Sequence, residues 1–308
     1  MRTQSNRRSF LSSLPAFMVL PKIVKDSDNS FLGNHPIACS NYDWVTFYNR
    51  QNKKWGENWD TCLADLAKTG IKAFEPSLTS VSEAKTIWKA LSKHQISMPS
   101  VYVNSLLHSE AEAEKSIAQI LAIADTVSKF GTRIFVTNPT PLKWGSNLLK
   151  SDAELIVQAQ NLEKLGRELK KRKIALAYHT HDVELSAGAR EFHHMMQNTT
   201  RDHVWFCMDV HWIYRGSMDS QVAVFDVLKM YGNRLLVLHL RQSVNSIWSE
   251  TFGKGDIDYP RFARELKKMK ISPHLVIEQC IETKTGGNLY GVEAHKIDLQ
   301  AVKELFNV

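Results

Sequence analysis

Cysteine is scarce: Cys39, Cys62, Cys207 and Cys280 are the four in 308 residues, and none stands in C-x-x-C spacing. That excludes a disulfide framework and a cysteine-built zinc cluster; three of the four fall inside runs that read as strand or helix, as small buried apolar residues do. No apolar run approaches the roughly 20 residues that a transmembrane helix requires, so stable membrane insertion is not expected. Glycines number only 14, and no glycine-rich turn joins a strand to a helix in the way that cradles phosphate. Residues 35–308 contain no proline- or glycine-rich linker and no shift of composition, hence no seam for a second domain. A large charge excess is missing too: residues 1–28 supply three of the seven formal positive charges and leave an ordinary four. The densest basic run, Lys164 to Lys173, has helical spacing and reads as a solvated face, so no nucleic-acid partner is expected.

What the chain does have is core-forming material: 43% hydrophobic residues and eight tryptophans. The first residues hold Arg7-Arg8-Ser9-Phe10-Leu11 ahead of a short apolar stretch, which resembles a bacterial twin-arginine export signal. Residues 1–28 are therefore set apart from the fold, and a periplasmic location is expected, with the cytoplasm as the alternative.

From residue 35 on, short β-rich runs alternate with longer runs of helical period, the signature of βα units around a parallel sheet. Strands are predicted at Ile37–Ser40, Ile71–Glu75, Ser100–Asn104, Arg133–Thr137, Ile174–His181, Val204–Asp209, Leu235–Leu240 and Leu275–Glu278. Helices are predicted between them, with a capping box at Ser151-Asp152-Ala153-Glu154 and C′ glycines at Gly70 and Gly131. Eight strand–helix units in an α/β chain of this size favour a single-domain (β/α)8 TIM barrel over residues 35–308. The stretches 41–58 and 139–149 read as irregular loops at the barrel mouth.

A barrel does its chemistry where its strands end, and here the last four strands all end in ligand-type side chains. They are His179 and His181, Asp209 and His211, His239 and Arg241, and Glu278. Positions 179, 209 and 239 are 30 residues apart, one βα unit each, which sets equivalent residues at equal height. Residues two apart on a strand share a face, so each pair is expected to converge. A mixed nitrogen and oxygen set of this kind suits one divalent ion, Mn, Co, Zn, Fe or Mg, rather than calcium.

The sequence also carries Tyr178-His-Thr-His-Asp-Val-Glu-Leu185, Met208-Asp-Val-His-Trp212, Gly232-Asn-Arg234, Leu238-His-Leu-Arg241, Gly253-Lys-Gly-Asp-Ile-Asp-Tyr259 and Val276-Ile-Glu-Gln279. Together these resemble the xylose-isomerase-like barrels of sugar isomerases, epimerases and related lyases, and within them a subfamily similar to enzymes acting on 3-keto-glycosides. The resemblance implies metal ligands at His179, Asp209, His239 and Glu278, leaves His181 as the rival first ligand, and places His181 toward substrate. His179 departs from the pattern, because epimerases of this group usually carry Glu there and use two glutamates as opposing bases. One remaining carboxylate suits proton abstraction beside a carbonyl followed by elimination better than two-base epimerisation.

The expected reaction therefore has Glu278 as base, His181 and Arg241 as further catalytic groups, and His211, Trp212, Trp248 and Lys254 as contacts to a small carbohydrate. A sugar isomerase or epimerase and a non-catalytic sugar-binding barrel are the alternatives. An apurinic endonuclease would need more ligands on the early strands, which offer little beyond Glu75 and His108. Homo-oligomer formation is left open.

Overall fold

The computed structural model describes residues 35–308, so the twin-arginine stretch lies outside the described residues. Strands β1 (Ala38–Ser40), β2 (Ala73–Glu75), β3 (Ser100–Ser105), β4 (Ile134–Pro139), β5 (Ala175–His179), β6 (Val204–Asp209) and β7 (Leu235–Leu240) recur as predicted. A hairpin of β8 (Ser243–Val244) and β9 (Ile247–Trp248) follows, and β10 (His274–Ile277) is the eighth barrel strand. The eight form one parallel sheet in the order β2-β1-β10-β7-β6-β5-β4-β3. Its two end strands meet through the bridges Ala73–Ser97 and Ser77–Tyr102, which nearly close a (β/α)8 barrel.

Helices α1 (Asn41–Arg50), α2 (Trp59–Lys68), α3 (Val81–Lys93), α4 (Glu110–Val127), α5 (Asp152–Lys171), α6 (Ser186–Gln197), α7 (Val210–Gly216), α8 (Gln221–Tyr231), α9 (Tyr259–Met269) and α10 (Gly291–Phe306) form the outer layer. The Ser151–Glu154 capping box opens α5, and Gly70 and Gly131 take the left-handed conformation expected after a helix.

Two expectations change. Residues 41–50 are helix rather than loop, because Ser40 ends β1 and its hydroxyl accepts from Tyr42 N at 3.2 Å, capping α1. Strand β5 stops at His179, two residues earlier than the apolar run suggested.

Strand alternation sorts the core into two compartments. Phe74, Phe135, Leu176, Phe206 and Leu238 point out and pack under the helices, while Ala38, Ala73, Val136, Ala177, Val237 and Val276 point in. Two residues further along each strand, toward its C-terminal end, the inward set continues as Ser40, Glu75, Asn138, His179, Asp209, His239 and Glu278. Small apolar residues fill the barrel and a polar ring caps them.

Candidate metal centre and active site

His179, Asp209, His239 and Glu278 each bring one donor atom to a common point, all within 4.8 Å of one another. Parallel pairing builds this: Asp209 is in register with His239, and His239 with Val276, two residues before Glu278. Asp209 divides its two oxygens between tasks. Its Oδ1 accepts from Trp212 N at 2.8 Å and caps α7, while Oδ2 has no hydrogen-bond partner and lies 3.8 Å from His179 Nε2. Both ring nitrogens of His179 also lack hydrogen-bond partners, although the residue is only 1% exposed. Buried polar atoms left unpaired are rare and costly, so orphaned nitrogen and oxygen donors aimed at one point fit a divalent cation.

Around this point stand groups that tune it. His239 turns Nδ1 to Glu278 Oε2 at 3.1 Å and Nε2 to Glu75 Oε1 at 2.9 Å. Glu75, at the end of β2, is 1% exposed and thus gives the histidine a carboxylate on the side away from Glu278. The sequence offered it only as an isolated acid on an early strand, although a charged residue closing a short strand, Ala73-Phe74-Glu75, is a usable signal in a barrel. Arg241 lies at 2.9 Å from Glu278 Oε2 through Nη2 and donates from Nε to the Glu278 carbonyl, also at 2.9 Å. Burial alone would raise the Glu278 carboxyl, but Arg241 and His239 outweigh it and hold the group well below the usual carboxylate range. Ser40 Oγ reaches Glu278 Oε1 at 3.3 Å and Asp43 Oδ1 at 3.5 Å, and Asp43 in turn holds His295 Nε2 at 2.9 Å.

The remaining predicted residues separate. His181 stands beside the centre, 4.8 Å from His179 between ring centroids, and burial drives its pKa far down, so it is a neutral imidazole. Arg241 also stands at this point, against Glu278, and its Nη1 is buried with no hydrogen-bond partner. His211 does not follow strand alternation, because Asp209 ends β6 and starts α7; the ring packs against Tyr214 and Trp248, and burial lowers its pKa to about 3. Trp248 is buried with the guanidiniums of Arg241 and Arg215 over its ring at 4.3 and 4.9 Å, which occupies the surface expected to meet a sugar. Trp212 shares the Arg241 guanidinium at 5.2 Å and lies 5.4 Å from the His181 ring, at the edge of the centre. Lys254 is exposed on the loop after β9 and makes no hydrogen bond or ion pair among the described residues, so nothing draws it to this cluster. Glu184, inside the motif but given no role, is buried and receives His181 N at 2.7 Å and Asn138 Nδ2 at 3.0 Å; burial raises its pKa to about 7.

The chain is similar to known proteins. The chain is 23% identical over 300 residues to the inosose dehydratase of Clostridium perfringens, covering 88% of this chain and 97% of that one. Among solved structures, a 3-keto-D-glucoside 4-epimerase from E. coli superposes with a TM-score of 0.61 at 14% identity, covering 89% and 99% of the two chains. A barrel protein from Mycobacterium smegmatis, solved in complex with magnesium, gives 0.64 at 14% identity and the same coverage. The family model for xylose isomerase-like TIM barrels matches residues 63–303, and the chain belongs to that family.

Proposed function

We propose that this protein is a divalent-metal-dependent lyase that removes a proton beside the carbonyl of a keto-sugar or 3-keto-glycoside and eliminates the neighbouring oxygen substituent. The observation that carries this reading is the convergence of His179, Asp209, His239 and Glu278 within 4.8 Å, with unpaired donor atoms facing one another. A divalent ion held there would supply Lewis-acid stabilisation of the negative charge that develops on the substrate oxygen. Glu278 is ionised and its Oε1 faces the Ser40 hydroxyl at 3.3 Å, so it is the base. Arg241 offers its unpartnered Nη1 to a substrate oxygen, and neutral His181 can hydrogen-bond another without repelling the ion. The imidazole at position 179 leaves Glu278 without an opposing carboxylate, which supports elimination over two-base epimerisation. The name of the Clostridium perfringens relative, a dehydratase, supports the same choice.

The test incubates purified protein and Mn²⁺ with 3-keto-glucosides and free ketoses in D₂O. Loss of the substituent with deuterium uptake at the α-carbon is expected. Inverted configuration with the substituent retained would favour the epimerase alternative, and no exchange with any substrate would favour a non-catalytic barrel.

A further inference from the structure

In the barrel interior one inward position carries a thiol. The inward layer below the polar ring is Ala38, Ala73, Val136, Ala177, Val237 and Val276 around most of its circumference, but on β6 it is Cys207. This thiol is fully buried and sits in register with His179 on one side and Val237 on the other, two residues before Asp209 on the same strand. Its Sγ and one nitrogen each from His179 and His239 lie within 4.8 Å of one another. The two imidazoles therefore face two alternative sets of partners: carboxylates above, a sulfur below. A lone buried cysteine would mean little, but the unpaired nitrogens of His179 are 99% shielded from water and serve either set.

We infer that the barrel holds a second, deeper cation position formed by His179, Cys207 and His239, overlapping the upper one and selective for thiophilic ions such as Zn²⁺ or Cd²⁺. Ligand chemistry separates the two sets. Two imidazoles and a thiolate are a soft, nitrogen- and sulfur-rich set, whereas replacing the sulfur with the Asp209 and Glu278 carboxylates suits Mn²⁺ or Mg²⁺. Ion binding there exchanges the thiol proton for the metal–sulfur bond and releases it to solvent. Because His179 and His239 are shared, only one of the two positions can be filled at a time. An ion in the lower position draws both histidines away from Asp209 and Glu278, so zinc or cadmium competes with manganese instead of substituting for it. None of this depends on which sugar the protein acts on, or on whether it turns one over.

The test uses the full chain, stripped with chelator and titrated with Cd²⁺ while the near-ultraviolet thiolate-to-cadmium band is followed. One ion per chain should bring up the band in the native protein. Cys207→Ser should abolish the band and weaken Cd²⁺ by more than the roughly 10–100-fold that loss of an outer-sphere partner costs, because a direct ligand is removed. The same substitution should leave Mn²⁺ affinity within about twofold, a change of under roughly 0.5 kcal/mol. Asp209→Asn should do the reverse, keeping the cadmium band while losing Mn²⁺. Stoichiometric cadmium without a thiolate band, or a band that survives in Cys207→Ser, overturns the proposal. Should the serine variant fail to fold, crystals of the native chain grown with Cd²⁺ decide: an anomalous peak against Cys207 Sγ upholds the lower position, and one between Asp209 and Glu278 refutes it.

Discussion

Glu75→Gln isolates the contribution of a residue that touches no ion itself. The carboxylate is buried 2.9 Å from His239 Nε2, across the ring from the Nδ1 that faces Glu278, so its charge makes the ring more basic and favours a cation beside it. Glutamine preserves size and an acceptor oxygen but removes the charge. Partners of this kind are worth about 10–100-fold in metal affinity, or roughly 1.4–2.8 kcal/mol. That is a lower bound for Glu75→Gln, because a full negative charge is also taken from beside the proposed dication site. Glu75→Ala, which loses both the charge and the positioning, should fall further. Calorimetric titration of chelator-stripped protein with MnCl₂ measures both, with circular dichroism to establish folding. If Glu75→Gln binds Mn²⁺ within about twofold of the native chain, the carboxylate does not tune His239 and the reasoning fails.

Other substitutions probe the ring from different sides. Asp209→Asn and His239→Ala each remove a donor and should strip the ion, whereas Glu278→Gln should abolish α-proton exchange while leaving measurable metal by atomic absorption. Arg241→Met should cut kcat/KM on the order of 10²-fold and move the acid limb of its pH profile upward, since the guanidinium is what holds Glu278 low. An unmoved limb would mean that Arg241 only packs between Trp212 and Trp248. Away from the centre, burial raises the Asp298 carboxyl to about 7, while its Oδ1 accepts from Phe252 N at 2.7 Å. A folded-state pKa above the unfolded value near 3.8 gives stability that is intact below about pH 4 and lost as pH rises through 7. Asp298→Asn keeps the acceptor without the ionisation, so it should gain on the native chain across that window, by on the order of 4 kcal/mol at most. A stability difference that is flat from pH 4 to 8 would contradict this.

The barrel and the four residues that converge at its mouth were legible because both follow from period-two alternation read at strand ends. His179, Asp209, His239 and Glu278 occupy the inward position that closes each of four successive units, and that regularity survives in one dimension. What failed was whatever depends on where a strand hands over to a helix. Asp209 spends one oxygen on capping α7, which puts His211 on a helix and breaks the expected pairing. Ser40 does the same for α1, turning a predicted loop into a helix that carries Asp43 toward His295, 252 residues away. No local pattern announces such a pair. Trp248 was misjudged for a related reason: only the tertiary structure brings Arg215 and Arg241 over its ring. Cys207 was read as a small buried residue, and it is one, but burial alone does not say what lies within reach of the sulfur.

The charges at the barrel mouth favour the dication proposed for the centre. Three carboxylates, Glu75, Asp209 and Glu278, meet one guanidinium, Arg241, so with neutral imidazoles the cluster carries two surplus negative charges in a site shielded from water. A divalent ion cancels that surplus. Without one, the cluster recruits a proton: burial would lower the His239 pKa, but the Glu75 and Glu278 carboxylates hold it well above the ordinary histidine value. A ligating imidazole must give up that proton, so ion binding at neutral pH should release about one proton per chain and tighten as pH rises. Titrating Mn²⁺ in two buffers of different ionisation enthalpy counts it. Equal apparent enthalpies in both buffers would mean that His239 is already neutral, and that the carboxylate ring is balanced by some group other than this histidine.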